Sequence, residues 1–216
     1  MILALDLFCG AGGATKGLQR AGFHVTGVDI KSQSRYCGDV FVQADALEPP
    51  FDLRSFDFVW ASPPCQRFTD GAAAKMAKGC IYQDLIEPTH RLLANHHNTV
   101  IENIMKAPIR PDLLLHGHMF GLRVIRRRKF ELSFGGLNLT PSLPKGLLRE
   151  GFTCVVGHGT QSGVREMGLP GYTISQQRSA MGIEWMTQAE LSQAIPPVYS
   201  EFIASLFLAQ LREAAE

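Results

Sequence analysis

Ile2-Leu3-Ala4-Leu5-Asp6-Leu7-Phe8-Cys9-Gly10-Ala11-Gly12-Gly13-Ala14-Thr15-Lys16 is the stretch that decides the fold. The apolar run from Ile2 to Leu7 predicts a buried strand and the glycines a tight turn. Ala14 to Ala21 predicts a helix stopped by Gly22. His24 to Asp29 then reads as a second strand ending in an acid, which completes a β-turn-α-β unit. Further short strands are expected at Val40 to Gln43, Phe56 to Ala61 and Thr99 to Ile101, with helical stretches between them that include Gln83 to Ala94. Strands alternating with helices predict the α/β class, a doubly wound and mainly parallel sheet. Ligands bind such sheets beyond the carboxyl ends of the strands. Asp6, Asp29, Asp45, Cys65 and Glu102 all fall at or just after strand ends, so they are expected to face one crevice.

The 216 residues, 45% of them apolar, suit one domain with a small appendage. The five cysteines are scattered and form no Cys-x-x-Cys pair, so neither a disulfide framework nor a structural zinc site is indicated, and the expected compartment is the reducing cytoplasm. The amino-terminal run has no basic leader and meets Asp6 too early for a signal peptide or a membrane span. A formal net charge of +1 does not advertise a polyanion partner. The charges are nevertheless uneven: Arg123, Arg126, Arg127, Arg128 and Lys129 cluster, with Lys106 and Arg110 upstream. Such a cluster suits either a nucleic-acid surface or a solvated strand edge that deters edge pairing.

Three regions are expected: a catalytic and cofactor-binding core over 1–133, a loop-rich insert over 134–174, and helices over 175–216 that pack back on the core. Pro111 to Met119 predicts a short helix with proline in its first turn, and Val124 to Ser133 a strand or hairpin. Thr187-Gln188-Ala189-Glu190 fits a capping box. From Pro196-Pro197 onward, Val198, Phe202, Leu206 and Ala209 predict the apolar face of a terminal helix.

A strand, a glycine turn and a helix allow close backbone approach and aim amides at a ligand, although a tight turn with no ligand has the same composition. Asp29 is placed to accept hydrogen bonds from ribose hydroxyls, and Asp45 from the exocyclic amine of adenine, so an adenosyl ligand suits both acids and the turn. Asp6 reads as a turn acid or as a partner for a cationic, aminoacyl part of that ligand. Cys65 follows Pro63-Pro64, which stiffen the strand exit and fix the direction of its side chain. A lone cysteine is commonly a small buried apolar residue. A thiolate can instead add to an electron-poor ring carbon, helped by an acid that protonates or hydrogen-bonds the ring, and Glu102 could be that acid or a cap.

The ordered set Asp6-Leu7-Phe8-Cys9-Gly10-Ala11-Gly12-Gly13, Pro64-Cys65-Gln66, Glu102-Asn103-Ile104 and Arg126-x-Arg128-x-Phe130 resembles the cytosine-5 DNA methyltransferases, with a weaker continuation at Ala194-Ile195-Pro196-Pro197. The resemblance implies a class I S-adenosylmethionine-dependent methyltransferase fold (Rossmann-like), and S-adenosyl-L-methionine held by Asp6, Phe8, Gly10, Gly12, Gly13, Asp29, Asp45 and Pro63. It implies that Cys65 attacks carbon 6 of a flipped cytosine in DNA while Glu102 engages ring nitrogen 3 and the amine. Arg126 and Arg128 would orient Glu102, the base or a phosphate. Nucleic-acid contacts are expected from Gln66, Lys75, Lys78 and Arg127, no metal is expected, and the chain is expected to be a monomer. Base flipping follows from chemistry as well, because stacking hides carbon 6. The small-residue segment Arg67 to Cys80 suits a loop that closes over the base, or a plain helix with exposed lysines.

Departures from the pattern bear on specificity. Val124 stands where the family usually has glutamine, Ser192-Gln193 where it has Gly-Asn, and the insert is shorter than a usual target-recognition region. Compact versions encoded by phages or mobile elements are the nearest in style, and a relaxed or very short recognition site, or a specificity partner, is expected. His158, Gln161, Arg165, Gln176, Gln177 and Arg178 are candidate DNA contacts or ordinary loop residues. Ser62-Pro63-Pro64 also resembles the motif of exocyclic-amine methyltransferases, which carry an aromatic residue where Cys65 stands. A transfer-RNA substrate, or a noncatalytic role in binding DNA or the cofactor, is also compatible with these residues.

Overall fold

The computed structural model describes residues 1–135, 138–148, 150–155 and 171–214. Seven strands form one sheet in the order β3-β2-β1-β4-β5-β7-β6. They are β1 (Ile2–Leu7), β2 (Phe23–Asp29), β3 (Val40–Gln43), β4 (Phe58–Ala61), β5 (Thr99–Asn103), β6 (Leu113–Leu115) and β7 (Arg128–Leu132). The first five run parallel, whereas β7 runs antiparallel to both β5 and β6. Strand order reverses on either side of β1, so the gap beyond the ends of β1 and β4 is the crevice where such sheets take ligands.

Among the described residues the helices are α1 (Gly13–Arg20), α2 (Ala72–Ala77), α3 (Ile86–Leu93), α4 (Ile174–Met181), α5 (Gln188–Gln193) and α6 (Pro197–Glu213). One core layer packs Leu18, Phe58, Trp60, Phe130, Tyr199, Ile203 and Phe207 between the sheet, α1 and α6. The opposite layer joins Leu5, Leu7, Val59 and Ile101 to Ile86 and Leu93 of α3. Gly17 lets α1 and α6 touch: a Cβ there would lie 1.9 Å from the Pro197 carbonyl oxygen and 2.1 Å from Ser200 Oγ. The capping box at the start of α5 is complete, with Thr187 Oγ1 accepting from the Glu190 amide at 3.3 Å and Glu190 Oε2 accepting from the Thr187 amide at 2.6 Å.

Three expectations differ from the structure. The helix expected over Pro111 to Met119 is instead β6 followed by a 3-10 turn over Gly117–Phe120. Pairing with β7 and burial of Leu113 and Leu115 override the proline signal. The strand expected over Val124 to Ser133 begins only at Arg128, while Val124 makes a separate bridge to Thr153. The buried face of α6 is Tyr199, Ser200, Ile203, Ala204 and Phe207, and Ala209 is exposed. The helix is apolar nearly all round, so hydrophobicity alone places that face one residue too early; Gly17 and the aromatic layer decide it.

Candidate functional site

The register of the sheet assembles the site. Leu7 pairs with Ala61 and Ala61 with Ile101, so the glycine turn, the Pro-Pro-Cys segment and Glu102 leave the sheet at one level. Because β7 enters antiparallel beside β5, its first residue, Arg128, lies at the carboxyl edge of β5. There Arg128 Nε donates to Glu102 Oε1 at 2.8 Å in a pair that is nearly buried on both sides. Asn103 Nδ2 donates to the Pro63 carbonyl at 2.8 Å and fixes the turn before Cys65. A cavity of about 700 Å³ opens over these ends, a volume that suits a cofactor. Its walls include Asp6, Phe8, Gly10, Gly13, Asp29, Asp45, Pro63, Cys65, Gln66, Glu102 and Arg128.

Each part of the glycine turn has its own constraint. Phe8 and Gly10 hold positive φ, 60° and 50°, in a turn whose amide at Gly10 donates to Asp29 Oδ2 at 3.0 Å. Gly12, at φ 88°, faces away from the cavity, where a Cβ would meet Cys37 Sγ at 2.7 Å. Gly13 faces the carboxyl-terminal segment, and its Cβ would meet the Ile195 carbonyl oxygen at 2.9 Å. Two of the glycines are therefore required by packing as well as by any ligand.

An adenosyl cofactor fits these walls. Asp29 is oriented by the Gly10 and Lys31 amides, with further acceptor capacity for hydroxyls, and Asp45 is oriented by the Leu47 amide. Ile30, 65% exposed, borders the cavity as an apolar surface for a flat ring. Asp6 is fully buried. Its Oδ2 accepts from Thr15 Oγ1 at 2.5 Å, while its Oδ1 has no partner among the described residues. Burial pushes the Asp6 carboxyl up to about 7, and a cationic group reaching Oδ1 would reverse that.

Electrostatics bear on the Cys65 thiol. Burial pushes the Cys65 thiol up and the Glu102 charge adds to this, while the Arg128 and Arg126 guanidinium groups pull it down. The two guanidinium groups are thus what favours its thiolate against burial. Arg126 itself does not line the cavity. Its guanidinium is buried and donates to three carbonyls, of Ala194 at 2.9 Å, Val155 at 2.7 Å and Ser192 at 2.6 Å. It ties the strand region to the segment that closes the cavity. Arg127 is exposed and outside the cavity, as are Lys75 on α2 and Lys78 at its end. His158, Gln161 and Arg165 lie outside the described residues. Missed by sequence reasoning were Ile30, Met186, Glu190 and Gln193, which line the cavity. Gln66 Nε2 donates to Gln193 Oε1 at 3.2 Å across its mouth. Residue 193 stands out in the sequence only as a departure from a family asparagine, and that offset is the available signal. Among the described residues no group of His, Cys, Asp and Glu could hold a metal ion, and no helix is long and apolar enough to cross a membrane.

Residues 5–75 match the family described as a methyltransferase domain. No curated protein matches. Among solved structures, a Dnmt2 methyltransferase from S. pombe superposes with a TM-score of 0.60 at 15% identity, covering 97% of this chain and 99% of that one. A putative DNA modification methyltransferase encoded within an E. coli prophage gives 0.62 at 15% identity, covering 98% and 100%. The fold is that of a class I S-adenosylmethionine-dependent methyltransferase. S-adenosylmethionine is the methyl donor that this domain and fold imply. The glycine turn, the strand-end acids, Cys65, Glu102 and Arg128 all line one cavity, the candidate donor cavity.

Proposed function

We propose that the chain methylates carbon 5 of cytosine in DNA through a covalent adduct at Cys65. The observation that carries this is the joint placement of Cys65 and the Glu102–Arg128 pair on the cavity that also holds the glycine turn and Asp29. Amine methylation needs neither a thiol nor a buried carboxyl on the opposite side of the base. Carbon methylation needs both, because carbon 5 of cytosine is not nucleophilic until a nucleophile adds at carbon 6.

The chain's residues divide that work. Cys65 Sγ gives up its proton to solvent and, as the thiolate, bonds to carbon 6; the carbon 5–carbon 6 π bond opens, and its electron pair delocalises from carbon 5 through carbon 4 onto ring nitrogen 3. Glu102, held by Arg128, shares a proton with that nitrogen as the charge develops and accepts a hydrogen bond from the amine. Arg128 also favours the thiolate. Asn103 and the two prolines hold the Cys65 turn, which limits the rotation of the sulfur. Bound S-adenosylmethionine supplies an electrophilic methyl group. Loss of the carbon 5 proton to a base then breaks the sulfur–carbon 6 bond and restores Cys65.

Nucleoside mass spectrometry after incubation with S-adenosylmethionine and, in parallel, duplex DNA, single-stranded DNA and transfer RNA tests the proposal. 5-Methylcytosine in DNA is the expected product. N4-methylcytosine or N6-methyladenine would overturn the carbon reaction, and 5-methylcytosine in transfer RNA alone would move the substrate to RNA.

A further inference from the structure

Arg123, Thr153 and one flank of α4 line a second cavity of about 550 Å³, separate from the donor cavity. The backbone brings its walls together: the Thr153 amide donates to the Arg123 carbonyl at 2.8 Å, and the Ile125 amide to the Thr153 carbonyl at 2.9 Å. Among the described residues the lining carries Arg123, the hydroxyl residues Thr153, Tyr172, Ser175 and Ser179, the Gln176 amide and no carboxylate. Arg123 is held for use. Its guanidinium lies 4.8 Å from the centre of the Phe152 ring, and Nη2 donates to the Glu150 carbonyl at 2.8 Å. One flank of α4 faces the cavity, through Ser175, Gln176, Ser179 and Ala180, and it carries no acid. Thr153 is the independent pointer to a ligand. It is 1% exposed and lines the cavity, yet its Oγ1 has no partner among the described residues. A buried hydroxyl without a partner is destabilising, and a ligand acceptor would remove that cost.

We propose that this cavity binds a backbone phosphate of the polynucleotide, flanking the base that Cys65 attacks. The inference rests on the nucleic-acid reading above. A cation, several hydroxyls and an amide, with no acid among the described lining residues, match the acceptor-only oxygens of a phosphodiester. The distance is suitable too. From Arg123 to Arg128 an extended chain reaches at most about 17 Å, a few nucleotides along a strand. Val155, two residues beyond Thr153, accepts from Arg126, so the cavity is coupled to the strand that carries Arg128. Such a contact fixes affinity and register and carries no base choice.

Anisotropy titrations of labelled duplex and single-stranded DNA against salt test it, with inorganic phosphate as a competing probe. Arg123→Gln should weaken binding about tenfold at low salt, equally for unrelated sequences, and reduce the slope of log K against log salt by about one. In turnover the loss should fall on KM for the polynucleotide. Thr153→Val should weaken DNA binding while raising the melting temperature, since it removes an unpartnered hydroxyl; a merely structural threonine would lower both. An unchanged slope and affinity in Arg123→Gln overturns the pocket and leaves the methylation reading standing. A reduced slope with no 5-methylcytosine from the wild type keeps the pocket and overturns the cytosine reading, and a wild type that binds no polynucleotide overturns both. If phosphate alone shifts the melting of the wild type but not of Arg123→Gln, while both bind DNA equally, the site serves a free anion and the proposal fails.

Discussion

Replacing Asp6 with asparagine removes the one ionisable group buried in the floor of the donor cavity with an oxygen lacking a partner among the described residues. Burial is the main force lifting this carboxyl from 3.8 to about 7, with Asp29 and Glu102 adding to it and the Thr15 hydrogen bonds opposing it. The sign follows from linkage: an acid whose folded-state pKa is raised costs nothing below its unfolded value. Its ionisation destabilises the fold increasingly as pH climbs from 3.8 to about 7, and the full cost persists above that. At about 1.4 kcal/mol per tenfold change, that cost is on the order of 4 kcal/mol. An asparagine amide without a full set of partners returns about 1–3 kcal/mol of it. The ligand-free variant should therefore be more stable than wild type by roughly 1–3 kcal/mol near pH 8, and less stable by roughly 1–3 kcal/mol near pH 4, where the neutral aspartic acid costs nothing. Urea unfolding followed by circular dichroism across that range measures it. Binding should move the other way: wild-type affinity for S-adenosylmethionine rises as pH passes through 7, while the variant binds at least about tenfold more weakly with little pH dependence. Parallel stability curves, or equally tight calorimetric binding by the variant, would refute the assignment of Asp6 to the cationic end of the donor.

Gly17→Ala forces a Cβ to within 1.9 Å of the Pro197 carbonyl oxygen. Although alanine favours helix, the variant should lose about 1–3 kcal/mol, read as a drop of several degrees in Tm; a neutral or stabilising result would mean that α1 and α6 are not packed this closely. Arg126→Met strands the carbonyls of Val155, Ser192 and Ala194, so about 3–5 kcal/mol of stability should be lost in urea titrations. The surviving folded fraction should bind S-adenosylmethionine more weakly than wild type, because Ala194 belongs to the donor cavity wall; full retention of stability and affinity would show the clamp to be dispensable.

The fold was legible where periodicity and neighbours agree. β1 and β3 occupy the expected residues, their apolar runs ending just before the glycine turn and Asp45. β6 was not legible: Leu113–Leu115 is equally good in a helix, and only its antiparallel pairing with β7 makes it a strand. The site follows the same rule. Asp6, Asp29, Asp45, Cys65 and Glu102 could be gathered onto one crevice because strand ends in a parallel sheet converge there. The separate work of the two arginines could not be read. Arg126 and Arg128 are two apart and chemically identical, yet the first clamps backbone carbonyls and the second pairs with Glu102; what distinguishes them is the packing of a segment some 65 residues away. Glu190 and Gln193 were hidden for a similar reason. They sit on α5 as ordinary polar residues until the chain folds back over the glycine turn.

The covalent step is the central claim, and it can be caught directly. DNA carrying 5-fluorocytosine keeps a fluorine where a proton must leave, so an adduct that receives the methyl group cannot collapse. Intact-protein and peptide mass spectrometry after incubation with this DNA and S-adenosylmethionine should find one methylated fluorocytosine on the peptide holding Cys65, and none with Cys65→Ser. Turnover of ordinary cytosine by Cys65→Ser, or wild-type methyl transfer with no trapped adduct, would contradict it.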